Sequence, residues 1–161
     1  MQTIISHRGN LDGPTPSLEN RPSYIENAIQ KGFDVEIDLR VEHGKLFLGH
    51  DKSQYDVNLE WLLHHSENLW VHCKDVNALE ICLQSHNLRC FFHEKERHTI
   101  ISNHMIWTHD IEEAVSSSII PLISEKVTSN TFFEKYFHVY GICTDYANYY
   151  SALLKVPRNL K

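Results

Sequence analysis

Eight short apolar runs punctuate this chain, and most are separated by stretches just long enough for one helix. The runs cover residues 3–5, 35–39, 69–73, 90–92, 99–101, 105–107, 119–123 and 139–143, all of strand length. Residues 22–32 read as a helix: Pro22 suits a first turn, Tyr24, Ile25, Ala28 and Ile29 share one face, and Gly32 suits the exit. Asn58 can cap a short helix through Leu63, and Asp75 one whose Val76, Leu79, Cys82 and Leu83 face inward. Asp110 with Glu113, and Thr131 with Glu134, read as capping boxes, and Asp145 can open a last helix through Leu154. Residues 45–49 look like the returning arm of a hairpin turned at His43-Gly44. Repeated strand–helix units imply parallel strands and an α/β fold, because parallel neighbours need a crossover between them. Eight such units make a closed barrel, which usually takes about 250 residues. With 161 residues, and no room for helices between 90 and 107, the expected fold is a trimmed (β/α)8 TIM-type barrel. Several helices would be shortened or missing, and residues 1–161 would form one domain.

Composition narrows the function. A formal charge of −6 argues against a general nucleic-acid binder, which needs basic surface to replace counterions. No apolar run approaches the roughly 18–20 residues of a membrane span, so stable membrane insertion is not expected. Only a few residues precede the first candidate site at His7, too few for a signal peptide. The four cysteines form no Cys-x-x-Cys pair, and three lie within apolar runs as buried thiols do. A reducing, cytoplasmic location is the expectation. Twelve histidines is a marked excess of a residue that carries protons and binds metals.

In a parallel barrel, chemistry gathers where strands end. His7-Arg8 ends the first run, His72 and Lys74 the third, His93-Glu94 the fourth, Glu125 the seventh and Asp145 the eighth. In the second run Val35, Ile37 and Leu39 alternate with Glu36, Asp38 and Arg40, so Glu36 and Asp38 share one face. Two such carboxylates suit a hard cation, Mg²⁺ or Ca²⁺; the alternative is a solvated outer strand face. His7 and His50 could divide the acid and base work of phosphodiester cleavage. Arg8 could grip phosphate bidentately and Lys74 as a point charge, or they could be a salt bridge and an exposed lysine. Asp145 reads more readily as a helix cap. Trp61, Trp70 and Trp107 read as core rather than as a base-stacking platform.

The ordered set His7-Arg8-Gly9, Glu19-Asn20, Glu36-x-Asp38 and His50-Asp51 resembles the signature of the glycerophosphodiester phosphodiesterase family. Lys74 in Val71-His72-Cys73-Lys74 resembles the end of that family's Glu-x-Lys strand, and Gly141-x-x-Thr144-Asp145 its closing strand. The resemblance implies a barrel that uses a divalent cation. Glu36 and Asp38 would be metal ligands, His7 and His50 the catalytic acid–base pair, and Arg8 and Lys74 the phosphate grip. Glu19 would be a substrate-site residue, orienting Arg8. Where the family carries its third metal carboxylate this chain has His72, which as a ligand would shift preference toward Mn²⁺ or Zn²⁺. Arg21 replaces the threonine that usually follows Glu-Asn, and the region that shapes the family's glycerol pocket is missing. The expected activity is metal-dependent hydrolysis of a small or glycan-linked phosphodiester. The alternative is a catalytically degenerate barrel that binds a phosphorylated glycan or nucleotide-sugar.

Overall fold

The computed structural model describes residues 2–123, 126–127 and 134–155. Glu125 and the Thr131 capping box lie outside the described residues. The elements are β1 (Thr3–His7), α1 (Pro22–Gln30), β2 (Asp34–Glu42), β3 (Lys45–Leu48), β4 (Tyr55–Val57), α2 (Leu59–His64), β5 (Leu69–Cys73), α3 (Val76–Gln84), β6 (Arg89–Phe91), β7 (His98–Ile100), β8 (Ile106–Thr108), a 3₁₀ turn (Ile111–Glu113), β9 (Ser118–Leu122), β10 (Gly141–Thr144) and α4 (Ala147–Lys155).

All ten strands join one sheet of a mixed α/β fold. Its parallel part runs β6-β5-β2-β1-β10-β9-β8. Three antiparallel arms are added: β3 on the far half of β2, β4 on β3, and β7 on β8. Residues 99–101, expected as a parallel unit of their own, belong instead with β7. The reason is length: Ile101 N–H bonds to Met105 O across a tight turn, which cannot cross over to a parallel neighbour. The strand β4 had no apolar run to announce it.

Among the described residues no ladder joins β6 to β7 or β8. Ser102 spans that gap. Its N–H donates to Cys90 O at 2.9 Å, its hydroxyl accepts from Cys90 N–H at 3.0 Å, and the same hydroxyl donates to Leu88 O at 3.1 Å. Between β6 and β9 the described helical structure is a single 3₁₀ turn, so the expected loss of helices falls on this half.

Strand alternation sorts side chains onto two faces. Val35, Ile37 and Leu39 of β2 pack with Leu62, Leu69, Val71, Ala78 and Cys82 in the layer beneath α2 and α3. Asp75 ties that layer together: one carboxylate oxygen caps α3 at Ala78 N–H (2.8 Å) and the other accepts from Val41 N–H of β2 (2.9 Å). The opposite, inner face holds Ile5, Trp70, Phe91, Ile101, Trp107, Ile119 and Cys143. At 25 cal/mol/Å² on roughly 150–250 Å² of side chain, burying Trp70 contributes about 4–6 kcal/mol. Below it Asp34 accepts from Trp70 Nε1 at 2.9 Å and from Arg89 Nη1 at 3.3 Å, closing the inner face at the N-terminal end of the strands. Trp70 and Trp107 are therefore core, and Trp61 is half-buried with its indole N–H on Glu26. Among the described residues no helix is long and apolar enough to cross a membrane.

Candidate active site

Register builds the site. His7 pairs with Glu36 between β1 and β2, and Asp38 pairs with His72 between β2 and β5. Neighbouring residues of parallel strands point to the same face. Two residues up from Trp70 on β5, and from Ile5 on β1, the inner face thus changes from apolar to ionisable. Glu36 and Asp38 are 2% and 0% exposed, which rules out the solvated outer strand face.

The loop after β1 brings Arg8 over this end. Arg8 and Gly9 both take left-handed backbone, at φ 55° and 91°. Gly9 is required there twice over, since a Cβ would also stand 2.7 Å from the Tyr24 ring. Arg8 Nε lies 2.8 Å from Asp38 Oδ2, an ion pair not aligned as a hydrogen bond, and Nη1 donates to Glu19 Oε2 at 3.1 Å. Asn20, also left-handed at φ 63°, grips Asp38 from side chain to side chain (2.8 Å) and from its carbonyl to the Asp38 N–H (2.9 Å). Lys74 Nζ lies 3.7 Å from Asp38 Oδ1, and its side chain is largely buried, so it is not an exposed lysine.

His72 Nδ1 stands 3.4 Å from Asp38 Oδ1 and 3.7 Å from Glu36 Oε1, at ion-pair rather than hydrogen-bond geometry. Burial opposes charge on both partners, but their contacts win. The Asp38 carboxyl is held well below the usual range by His72, Arg8 and Asn20 against its burial. The His72 imidazole is raised by Asp38 and Glu36 against its own burial.

His7 donates Nδ1–H to Asp145 Oδ1 at 2.7 Å. An ionised carboxylate only accepts, so the neutral ring keeps Nε2 as its bare acceptor. That nitrogen faces Glu36 Oε2 at 3.9 Å. Asn10 steadies the arrangement: its amide donates to Asp145 Oδ1 (2.8 Å) and Glu19 Oε1 (2.9 Å), and its carbonyl accepts from Thr15 N–H and the Tyr24 hydroxyl.

His7, Arg8, Glu19, Glu36, Asp38, His72 and Lys74 thus form one connected network. His50 stands at its rim. Gly49 N–H bonds to Asp38 O, and a Cβ on Gly49 would collide with Lys52 O at 2.1 Å, so the loop is fixed beside β2. The His50 side chain is 42% exposed, and among the described residues no hydrogen bond or ion pair joins it to the network. Its Nδ1 is held by Asp51 at 2.7 Å, the arrangement His7 has with Asp145.

Asp145 is the main correction to the sequence reading. Its carboxylate orients His7 rather than capping the last helix, because β10 carries it to the same level as His7 on the adjacent strand. Asn10 was not foreseen, since an asparagine in a Gly- and Pro-rich loop looks like turn chemistry. His109, two residues beyond Trp107 on β8, was findable by alternation. It meets His93 edge-on at 5.0 Å, and His93 stacks on His72 at 4.5 Å. Burial and the neighbouring His72 push His93 down to about 4. Burial likewise lowers His109, so this side of the mouth is lined by neutral imidazoles.

A divalent cation would find a fitting donor set here. One ligand atom from each of Glu36, Asp38 and His72 lies within 4.8 Å of the others. Glu36 Oε2, Asp38 Oδ1 and His72 Nε2 are buried and have no hydrogen-bond partner among the described residues. Unsatisfied buried polar atoms of this kind call for a partner.

No protein-family model matches the chain, and no curated protein matches it. Among solved structures it is similar to a glycerophosphodiester phosphodiesterase from Thermotoga maritima. The TM-score is 0.53 at 14% identity, covering 95% of this chain and 98% of that one. At that identity the likeness is one of fold.

Proposed function

We propose that the chain is a metal-dependent phosphodiesterase of the glycerophosphodiesterase kind, acting on a small or glycan-linked phosphodiester at the β1–β2–β5 mouth. The observation that carries this reading is the three-ligand cluster of Glu36, Asp38 and His72 with a carboxylate-oriented histidine and two cations around it. The fold shared with a glycerophosphodiester phosphodiesterase supports it, and so does the order of the N-terminal motifs.

One divalent ion held by Glu36, Asp38 and His72 would supply Lewis-acid charge to a phosphoryl oxygen. Lys74, and Arg8 steadied by Glu19, would stabilise the remaining phosphoryl charge. His7, presenting Nε2, would take a proton from the attacking hydroxyl or give one to the leaving alkoxide. His50, at the rim with its Nδ1 also anchored by a carboxylate, would do the other. The inner face, filled by Trp70 and Phe91, would keep the substrate at the mouth rather than deeper in.

Two carboxylates and an imidazole favour Mn²⁺ or Zn²⁺ over Ca²⁺. Turnover of bis(p-nitrophenyl) phosphate and of glycerophosphodiesters is expected to require an added divalent ion, with Mn²⁺ above Mg²⁺ and Ca²⁺. A chain that takes up metal yet turns over none of these would be a binder of phosphorylated glycans or nucleotide-sugars, and the proposal would fail.

Metal uptake should also release a proton. Asp38 and Glu36 favour the charged form of His72 in the metal-free chain, raising its pKa, while a metal ligand must be neutral. Mn²⁺ affinity should therefore increase as pH rises through and above the ordinary histidine range near 6.5. Calorimetry in buffers of different ionisation enthalpy reads the proton count. Affinity independent of pH across that range would exclude His72 as a ligand.

A further inference from the structure

On the other face of the sheet, away from the proposed active site, three of the chain's four cysteines converge. Cys73 ends β5, Cys82 lies in the last turn of α3, and Cys90 is the middle residue of β6. Their sulfurs lie within 4.8 Å of one another, and the residues are 0%, 0% and 2% exposed. The fourth, Cys143, sits apart on the inner face.

Three sulfurs bonded at about 2.3 Å to one three-coordinate ion would stand roughly 3.5–4 Å apart, from pyramidal to planar geometry. Sulfurs within 4.8 Å of one another need only a small contraction to reach that spacing. Soft thiolate ligands select soft, thiophilic ions. Charge narrows the choice further. The surroundings are apolar, including Leu62, Leu69, Val71, Ala78 and Leu88. The groups that chiefly influence the three thiols are one another and, at Cys90, the Ser102 hydroxyl; no lysine, arginine or histidine is among them. Three thiolates around a monovalent or divalent ion would leave net negative charge buried with no cation beside it, at high cost. Three thiolates around a trivalent ion leave none.

We propose that Cys73, Cys82 and Cys90 form a binding site for a trivalent thiophilic ion of the arsenite class, held as a neutral tris-thiolate. Arsenous acid brings the bases it needs. Three arsenic–sulfur bonds form, three arsenic–oxygen bonds break, and the three thiol protons leave with the three hydroxides as water. No electron changes hands. Entry requires α3, a nine-residue helix held at its start by Asp75 and through the buried Ala78 and Cys82, to lift. Bound, the ion would pin α3 to β5 and β6. This inference does not depend on the phosphodiesterase reading.

The test uses the full chain, reduced, titrated with sodium arsenite and followed by native mass spectrometry. One adduct is expected, heavier by one arsenic less three hydrogens. It should vanish in Cys73→Ala, Cys82→Ala and Cys90→Ala and persist in Cys143→Ala. Arsenic-edge X-ray absorption on the unmodified chain should count three sulfur neighbours, a readout that survives if a variant fails to fold. No adduct, two sulfur neighbours, or an adduct indifferent to all three substitutions would overturn the proposal. So would displacement of arsenite from these sulfurs by an equimolar cuprous ion.

Discussion

His7→Ala is expected to lower phosphodiester turnover by about 10²- to 10⁴-fold, the usual contribution of a positioned acid or base, while Mn²⁺ binding is retained. The expectation rests on how the ring is held. Asp145 fixes Nδ1 at 2.7 Å, and Asn10 locks Asp145 in place, so the imidazole needs no reorganisation to present Nε2. Asp145→Asn probes the same device differently. An amide can turn its NH₂ toward Nδ1 and favour the other tautomer, placing the proton on Nε2 where a base is wanted. Its activity should fall with the Mn²⁺ affinity unchanged, and the acidic limb of the rate–pH profile, which a general base sets, should move. Full activity in both variants, with the substrates above, would remove His7 from the mechanism.

The second large effect is on stability. Asp38→Ala is expected to cost about 3–5 kcal/mol, because it leaves Lys74 a partly buried charge without its carboxylate and Arg8 with Glu19 as its remaining partner. It also removes one of the two hydrogen bonds, that from the Asn20 amide to the carboxylate, which help hold Asn20 in a left-handed backbone that a side-chain-bearing residue adopts only under constraint. Metal binding should be lost with it. The pH dependence has a definite sign. The folded-state pKa of Asp38 lies below its unfolded value, so its contribution is complete above about pH 4 and is lost as pH falls through the folded value. The stability gap between the unmodified chain and Asp38→Asn should therefore shrink on acidification below about pH 4. Denaturant midpoints measured at neutral and acid pH decide it, and a gap that widened with acid would contradict the assignment.

The sequence carried the strand positions well, because β-branched apolar runs have few other uses. It carried the carboxylate pair too, since Glu36 and Asp38 alternate with three aliphatic residues. What alternation alone left open was which face of β2 met water. Neither face does: the polar residues are buried as deeply as the aliphatic ones, a matter of what the rest of the sheet brings over them and not of local pattern. Asp145 was misjudged for a related reason: an acid ahead of a helix looks like a cap until the neighbouring strand places a histidine against it. The arm β4 escaped notice because its three residues carry no apolar run, and β7 was found as a run but not as the antiparallel partner of β8. The cysteine cluster was invisible in one dimension, as its members are eight or nine residues apart on three elements.

Ser102 has a consequence for how this molecule behaves in a crowd. The outer edge of β6 offers Cys90's amide and carbonyl, the pair a foreign strand would seize to begin an intermolecular sheet. A hydroxyl and one backbone amide have already claimed both. A protein that abandoned helices on this side would otherwise present an adhesive seam to its own copies, and a single serine blunts it.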